Sequence, residues 1–88
     1  MKVKFERSFE KDLRQIGDKK VLQKLKLVIE QVKNAANSST IKNLKKLRGF
    51  ETFYRIKLND YRIGIEIADG EFIFTRVLHR KEVYRFFP

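Results

Sequence analysis

Five side chains in the second half of the sequence have the types and spacing that chemistry on phosphates requires. Arg55 and Lys57 alternate along one segment, Arg62 follows in the next, and His79-Arg80 comes after a third. Guanidinium groups hold phosphate oxygens through paired hydrogen bonds and stabilise negative charge that develops during a reaction. A lysine crowded by cations, or a histidine, can accept a proton near neutral pH. The pattern indicates phosphate binding, whereas the simpler alternative is a solvated strand face.

Two tight turns predict how these residues are brought together. Asn59-Asp60 and Asp69-Gly70 have the composition of two-residue hairpin loops, and such loops fix the register of the strands that they join. Directly paired residues share one face of a sheet. The predicted basic face comprises Arg55, Lys57, Arg62, Gly64, Thr75 and His79. The predicted apolar face comprises Tyr54, Ile56, Leu58, Tyr61, Ile63, Ile65, Ile67, Phe72, Phe74 and Leu78.

This register has two unusual consequences. It places Lys57 opposite Arg62, a pair of like charges that is mildly destabilising and that a bound phosphate would neutralise. It also pairs Gly64 with Thr75 and turns Arg76 toward the core. Arg76 would then have to extend its charged end to a sheet edge, or the second turn would have to be longer.

The charge balance predicts a polyanionic partner. The 88 residues contain 21 Lys and Arg against 11 Asp and Glu, which gives a net charge of +10. Such an excess favours phosphate-rich partners through counterion release. Nucleic acid, the ribosome, an anionic membrane or an acidic protein would each satisfy it.

Other classes of site are not indicated. The chain has no Cys and a single His, so the sequence offers no disulfide and no cluster of metal ligands. It contains no apolar run of membrane-spanning length and no signal peptide. We expect a cytoplasmic protein without a metal or other cofactor.

The first half of the sequence predicts the elements that cover the sheet. Residues 2–6 alternate as a short strand does. Ser8 and Asp18 are predicted N-caps of two helices joined at Gly17, and the second helix is expected to end within residues 34–40. One strand, a helical hairpin and a three-strand antiparallel meander make an α+β fold with the helices on one sheet face, in a single domain of residues 1–88.

Four segments carry a more specific pattern. They are Leu44-Lys45-Lys46-Leu47-Arg48-Gly49, Tyr54-Arg55-Ile56-Lys57-Leu58, Asp60-Tyr61-Arg62-Ile63 and Val77-Leu78-His79-Arg80-Lys81-Glu82-Val83-Tyr84. In order and spacing they resemble the RelE/ParE toxin superfamily, and the likeness covers essentially the whole chain. The resemblance implies a RelE-like microbial ribonuclease fold and the toxin of a type II toxin–antitoxin system.

The RelE branch of that superfamily implies a defined reaction. Its members are ribosome-dependent endoribonucleases that cut mRNA in the A site and so inhibit translation. They use no metal, because the 2′-hydroxyl of the substrate attacks the adjacent phosphate and leaves a 2′,3′-cyclic phosphate.

Carried over by position, the resemblance implies catalytic roles for five residues: Arg55, Lys57, Arg62, Arg80 and Tyr84. Arg62 and Arg80 are expected to stabilise the phosphorane. Lys57 and His79 are competing candidates for the general base. Tyr84 is expected to stack on a base, or else simply to pack beside its neighbours. Arg55 stands where some RelE members have Lys, which leaves the base assignment open. Further RNA phosphate contacts are expected from Lys45, Lys46 and Lys81.

Three alternatives remain at this point. ParE-like toxins inhibit DNA gyrase without nuclease activity, a plain RNA-binding module needs only the charge, and an inactive toxin relative would keep only its partner. The partners implied are a cognate antitoxin protein, the ribosome and mRNA, with a toxin–antitoxin hetero-oligomer as the assembly.

Overall fold

A five-stranded sheet with helices on both sides organises the chain, for which a computed structural model describes residues 1–88. The elements in order are β1 (Lys2–Phe5), α1 (Arg7–Arg14), α2 (Lys19–Asn34), a 3₁₀ turn (Ser38–Thr40), β2 (Leu44–Lys46), β3 (Phe53–Leu58), β4 (Tyr61–Ala68), β5 (Glu71–His79) and α3 (Val83–Phe86). The strands lie in the order β1-β5-β4-β3-β2. β1 runs parallel to β5 and the other pairs are antiparallel, so the sheet is mixed. The predicted α+β fold is confirmed, and β2 and α3 are additional elements.

The predicted N-cap is present at the start of α2 but not at the start of α1. The Asp18 carboxylate caps α2 by accepting from the backbone N–H groups of Lys20 and Val21. Ser8 is not a cap, and that prediction is wrong. Its hydroxyl donates to the carbonyl of Thr75 at 2.7 Å, while Glu6 precedes the first helical residue. The chain enters α1 directly from β1, which leaves Ser8 inside the first turn and free to bond to the sheet.

The hydrophobic core lies between the sheet and the hairpin of α1 and α2. It is a cluster of Phe9, Ile16, Val21, Leu25, Val32, Ile41, Ile56, Leu58, Ile63, Ile65, Phe72, Phe74 and Val77. The predicted apolar face supplies six of these residues, and Tyr54, Tyr61 and Ile67 pack against the cluster while half-buried. No helix combines the length and apolarity that crossing a bilayer requires.

Both predicted hairpin loops are present. Leu58 pairs with Tyr61 across Asn59-Asp60, and Ala68 pairs with Glu71 across Asp69-Gly70. Asp69 and Gly70 have φ of 52° and 75°, the left-handed values that a type I′ turn needs at both positions. Lys57 therefore lies opposite Arg62 as predicted.

A β-bulge in β5 overturns the rest of the predicted register. Ile65 pairs with Phe74 but Gly64 pairs with Arg76, so Thr75 is an extra residue without a partner. Beyond it every side chain of β5 changes face. Val77 is buried in the core, and Leu78 lies opposite Arg62 instead of in the core.

Contacts from α1 explain the bulge. The carbonyl of Thr75 accepts from Ser8, and the backbone N–H of Val77 donates to the carboxylate of Asp12 at 3.1 Å. These bonds supply partners for polar backbone groups where the ladder is interrupted. The bulge also explains the position of Arg76, which pairs with Gly64 on the sheet face opposite the core.

The second face of the sheet, opposite α1 and α2, is covered at its centre by α3. Phe87, directly after α3, is 2% exposed and lies against Gly64. A Cβ atom at Gly64 would sit 2.6 Å from the Phe87 ring, so only glycine permits this approach. We call this second face the outer face.

Candidate functional site

Four cations share the part of the outer face that α3 leaves open. Lys45 on β2 pairs with Arg55 on β3, and Lys57 on β3 pairs with Arg62 on β4. We call these four residues the basic face. Lys45, Arg55 and Lys57 also line an open groove of about 290 Å³ together with Asn43 and Leu44.

The basic face is not neutralised by the protein. The chain forms ion pairs at Lys2, Lys4, Arg76 and Arg80, and none at the four residues of the basic face. Cations at neighbouring positions repel one another and attract anions. The groove therefore offers a phosphodiester several positive groups with no competing carboxylate.

Arg62 and Arg80 each contact the turn between β3 and β4. The Arg62 guanidinium donates to the carbonyls of Asn59 and Tyr61 at 2.8 and 2.9 Å, which holds its stem over the turn. Arg80 lies beyond β5, where its backbone N–H donates to the carbonyl of Asp60 at 2.7 Å. Its side chain is 3.8 Å from the Asp60 carboxylate, and both side chains are mostly exposed. An exposed pair at this distance contributes little free energy, so Arg80 can exchange it for a phosphate.

His79 does not share the basic face, contrary to the prediction. The bulge places it opposite Tyr61, with the two rings 5.7 Å apart and edge to face. Its Nδ1 accepts from the backbone N–H of Lys81 at 3.2 Å. Thr75, also predicted on the basic face, is the bulged residue. The imidazole thus lies on the helix side of the sheet.

The other predicted phosphate contacts are dispersed. Lys46 pairs with Tyr54, on the opposite side of β2 from Lys45, and Lys81 is an exposed residue of the turn before α3. The sequence pattern marked both as basic but did not distinguish them from Lys45. The strand β2, which the sequence analysis did not predict, is what separates Lys45 from Lys46.

Tyr84 lies at the edge of the outer face, on α3. It is 60% exposed and lines a cavity of about 480 Å³ with Leu47, Arg48, Phe50, Phe87 and Pro88. The sequence analysis gave Tyr84 a role and quoted Leu47 and Arg48 within a motif, but it assigned no role to the other residues that line this cavity. Phe50 can be recognised as a candidate only from the folded structure, where its large aromatic side chain is 44% exposed.

One buried ion pair stabilises the framework around the site. The Asp12 carboxylate accepts from Nε and Nη2 of Arg76 at 2.7 and 2.9 Å. This bond raises the pKa of Arg76 above its ordinary value, against the opposing effect of burial. Arg76 also lies 5.5 Å from the centre of the Phe86 ring, so it joins α1, β5 and α3.

Comparison with known proteins decides the family. Residues 3–84 match the sequence profile described as "ParE toxin of type II toxin-antitoxin system, parDE". The chain belongs to this toxin family. The matched segment runs from β1 into α3, so it contains the basic face and Tyr84 together.

Individual relatives point to the RelE members of the same superfamily. The chain is 42% identical to Toxin RelE3 of Methanocaldococcus jannaschii over the full length of both proteins. It superimposes with a TM-score of 0.82 and 41% identity on a chain of the RelB-RelE antitoxin–toxin complex from Methanococcus jannaschii, covering 97% of this chain and 99% of that one. The toxin–antitoxin complex RelBE of E. coli gives a TM-score of 0.65 at 25% identity, covering 86% and 92%. The predicted membership of the RelE/ParE superfamily is confirmed.

Proposed function

We propose that this toxin is a metal-independent endoribonuclease that cleaves mRNA in the ribosomal A site. The observation that carries the proposal is the basic face, four cations on one side of the sheet without a carboxylate partner. Such a surface suits a phosphodiester backbone. The 42% identity to a protein named as a RelE toxin supports the RNA-cleaving branch.

The reaction needs a base, charge stabilisation and a positioned substrate. Lys57 acts as the general base that removes the proton of the 2′-hydroxyl, since it lies beside Arg55 and Arg62 on the basic face, where the scissile phosphate would bind. The 2′-oxygen forms a bond to phosphorus and the bond to the 5′-oxygen breaks. The leaving oxygen takes up a proton from water, the hydroxide so formed takes the proton held by Lys57, and the products are a 2′,3′-cyclic phosphate and a 5′-hydroxyl.

Negative charge grows on the phosphorane during this step. Arg62 and Arg80 flank the same turn and present guanidinium forks that hold equatorial oxygens. Arg62 is anchored by two carbonyls before substrate arrives, which limits reorganisation during the reaction. Arg55 and Lys45 bind the phosphate backbone beside the reacting group.

Tyr84 supplies a contact to the base. Its ring is largely exposed, which distinguishes it from the buried Phe87 three residues later. An aromatic side chain of this kind stacks on an unstacked base and turns the chain toward in-line attack.

The proposed protein partner is a cognate antitoxin, as in the RelB-RelE complexes that the fold matches. An acidic segment laid over the basic face would neutralise the toxin and stabilise it, because binding to the folded state alone raises stability. We expect a higher melting temperature when the neighbouring gene product is added. A mixture that melts as the separate proteins do would contradict the pairing.

The decisive experiment maps mRNA 5′ ends after tightly controlled induction, with and without an inhibitor of translation initiation. We expect cuts inside translated codons that disappear when ribosomes cannot load. The variant Arg62→Ala should abolish most cuts, while Lys33→Ala, an exposed lysine of α2, should not. Growth arrest with intact mRNA and trapped gyrase–DNA complexes would instead assign the gyrase-inhibiting activity that the sequence left open.

A further inference from the structure

The cavity between the segment Leu47–Phe50 and α3 has the features of a small aromatic binding site. It measures about 480 Å³ and is lined by Leu47, Arg48, Phe50, Tyr84, Phe87 and Pro88. We call it the C-terminal cavity. Two of its aromatic walls, Phe50 and Tyr84, are exposed, whereas the third, Phe87, is buried.

The exposed ring of Phe50 is supported by aromatic rings that pack behind it. Phe50 meets Phe53 edge to face with centroids 5.7 Å apart, and Phe53 meets Phe87 in the same way at 5.5 Å. Phe87 is in turn fixed against Gly64. The backbone N–H of Phe50 donates to the carbonyl of Leu47 at 3.3 Å, and Gly49 adopts φ of 84°, which closes the turn. Phe50 is therefore presented to solvent by a rigid support, as a ligand-binding side chain is.

The C-terminal cavity adjoins the basic face. Phe87 forms one wall of the cavity and lies on Gly64, and Gly64 is the cross-strand partner of Arg55. A nucleic-acid strand whose phosphates contact the basic face thus carries its bases within reach of aromatic rings. Stacking on such rings is the usual way in which proteins hold unpaired bases.

Arg48 brings an unpaired guanidinium group to the wall of this cavity. It lines the cavity and forms no ion pair in the structure. A guanidinium carries only donors, and its fork matches the two acceptors, O6 and N7, on one edge of guanine. Pyrimidines do not present this pair.

We propose that the C-terminal cavity binds one unstacked base of the RNA substrate, with Phe50 as its stacking wall and Arg48 as a selector for guanine. The proposal rests on the proposed ribonuclease function and specifies its sequence preference. Phe50 and Arg48 are specificity-determining residues, and the reacting phosphate remains with Lys57, Arg62 and Arg80.

The first test uses binding alone. The chain contains no Trp, so Phe50→Trp creates a single indole probe at the cavity while keeping an aromatic ring. Short RNA oligonucleotides with a non-cleavable 2′-O-methyl backbone should quench its emission, most strongly when they contain guanine. An oligonucleotide with an abasic site in place of the guanine should quench several-fold less. Equal quenching by the intact and abasic oligonucleotides would overturn the proposal.

The second test uses cleavage on programmed ribosomes. Phe50→Leu keeps apolar bulk and removes stacking, so kcat/KM should fall about 10- to 100-fold. Arg48→Ala should reduce the preference for guanine-containing codons by about 10-fold or more. Phe86→Leu is the matched control, because Phe86 is an exposed aromatic residue of α3 outside the cavity. Thermal melting checks that each variant is folded.

The outcomes separate this proposal from the proposed function. Unchanged cleavage and codon preference in Phe50→Leu and Arg48→Ala would overturn the base site while leaving the ribonuclease intact. Loss of antitoxin binding in Phe50→Leu with unchanged RNA cleavage would make the cavity a protein-docking site and also overturn it. If the wild-type chain cleaves no RNA but quenching depends on the guanine base, the base site stands and the ribonuclease proposal fails.

Discussion

A single row of residues across the outer face contains two contrasting regions. Lys45 and Arg55 stand at one end, Gly64 in the middle and Arg76 at the other end, all in register. Arg76 has a carboxylate partner in Asp12 and is only 24% exposed. Lys45 and Arg55 have none. Arg76 therefore contributes to the stability of the fold, whereas Lys45 and Arg55 repel each other in the free protein and remain open to an anion.

The boundary between the two regions is Phe87 on Gly64. This contact seals the middle of the row from solvent and places α3 between the paired and the unpaired cations. A buried charged group needs an oppositely charged partner, whereas an exposed cation is available to a ligand. The same residue types therefore serve stability and recognition within one row of the sheet.

The largest effect should come from removing the arginines that we propose to be catalytic. Arg62→Ala and Arg80→Ala should each slow cleavage by about 10²–10³-fold, because each removes a donor to the developing phosphorane charge. Single-turnover assays on programmed ribosomes measure this, and urea unfolding should show little loss of stability. Unchanged rates in both variants would remove the catalytic assignment.

Breaking the paired region should affect the fold most. Asp12→Ala leaves Arg76 and the Val77 N–H without their carboxylate, and we expect the free energy of unfolding to fall by about 3 kcal/mol. Chemical denaturation monitored by circular dichroism tests this. The double variant Asp12→Leu with Arg76→Met should recover part of the loss. A single variant as stable as the parent would show that the pair contributes nothing.

The boundary itself can be disturbed at Gly64. Gly64→Ala places a methyl group 2.6 Å from the Phe87 ring, so the ring must move and stability should fall by about 1–3 kcal/mol. Gly17→Ala is the matched control, since a Cβ there meets nothing within 4 Å. We expect that control to be neutral or slightly stabilising. Equal stability of the two variants would refute the proposed role of the contact.

Neutralising an unpaired cation should raise the free energy of unfolding, whereas the two preceding substitutions should lower it. Lys57→Gln removes the like-charge pair with Arg62 and should stabilise the free protein by about 0.2–1 kcal/mol while it lowers activity. The gain should disappear at high salt, because salt screens exposed charges. Unfolding at low and high ionic strength measures it, and a gain that does not depend on salt would point to another cause.

The smallest expected effect is a change in the pKa of Glu71, an acidic residue that forms ion pairs at the surface. The hydrogen bond from Lys4 lowers the pKa of Glu71 below its ordinary value of 4.5, with the nearby charges of Lys4 and Lys2 acting in the same direction. A lowered folded-state pKa contributes stability above the ordinary pKa, and that stability is lost as the pH falls through the lowered value. NMR titration of the Glu71 carboxyl should show a midpoint below 4.5, and Lys4→Met should return it toward that value. A midpoint unchanged by Lys4→Met would contradict the assigned cause.

Local signals in the sequence predict the β3–β4 hairpin and the basic pairs on it. A two-residue loop at Asn59-Asp60 determines every pair up to Arg55, because register propagates along a ladder. The alternation of apolar residues likewise predicts the core side of β3 and β4. These features depend on residues close together in the chain.

The structural features that the sequence did not predict depend on contacts between residues far apart in the chain. The bulge at Thr75, and with it the position of His79, follows from Ser8 and Asp12 on α1, more than sixty positions earlier. β2 has three residues and α3 has four, and each is held by partners elsewhere in the chain. The C-terminal cavity lies between the segment that follows β2 and the residues of α3 and the C-terminus. No periodicity within a short window carries that information.

The parallel pairing of β1 with β5 has a consequence for biosynthesis. Lys2 to Phe5 find their partners in Glu71 to Phe74, and Phe87 closes the outer face later still. β1, which leaves the ribosome first, therefore cannot join the sheet until β5 has been translated. A chain released early would lack β5, α3 and the ordered basic face together. The folded toxin domain is thus formed only after the whole domain has been translated.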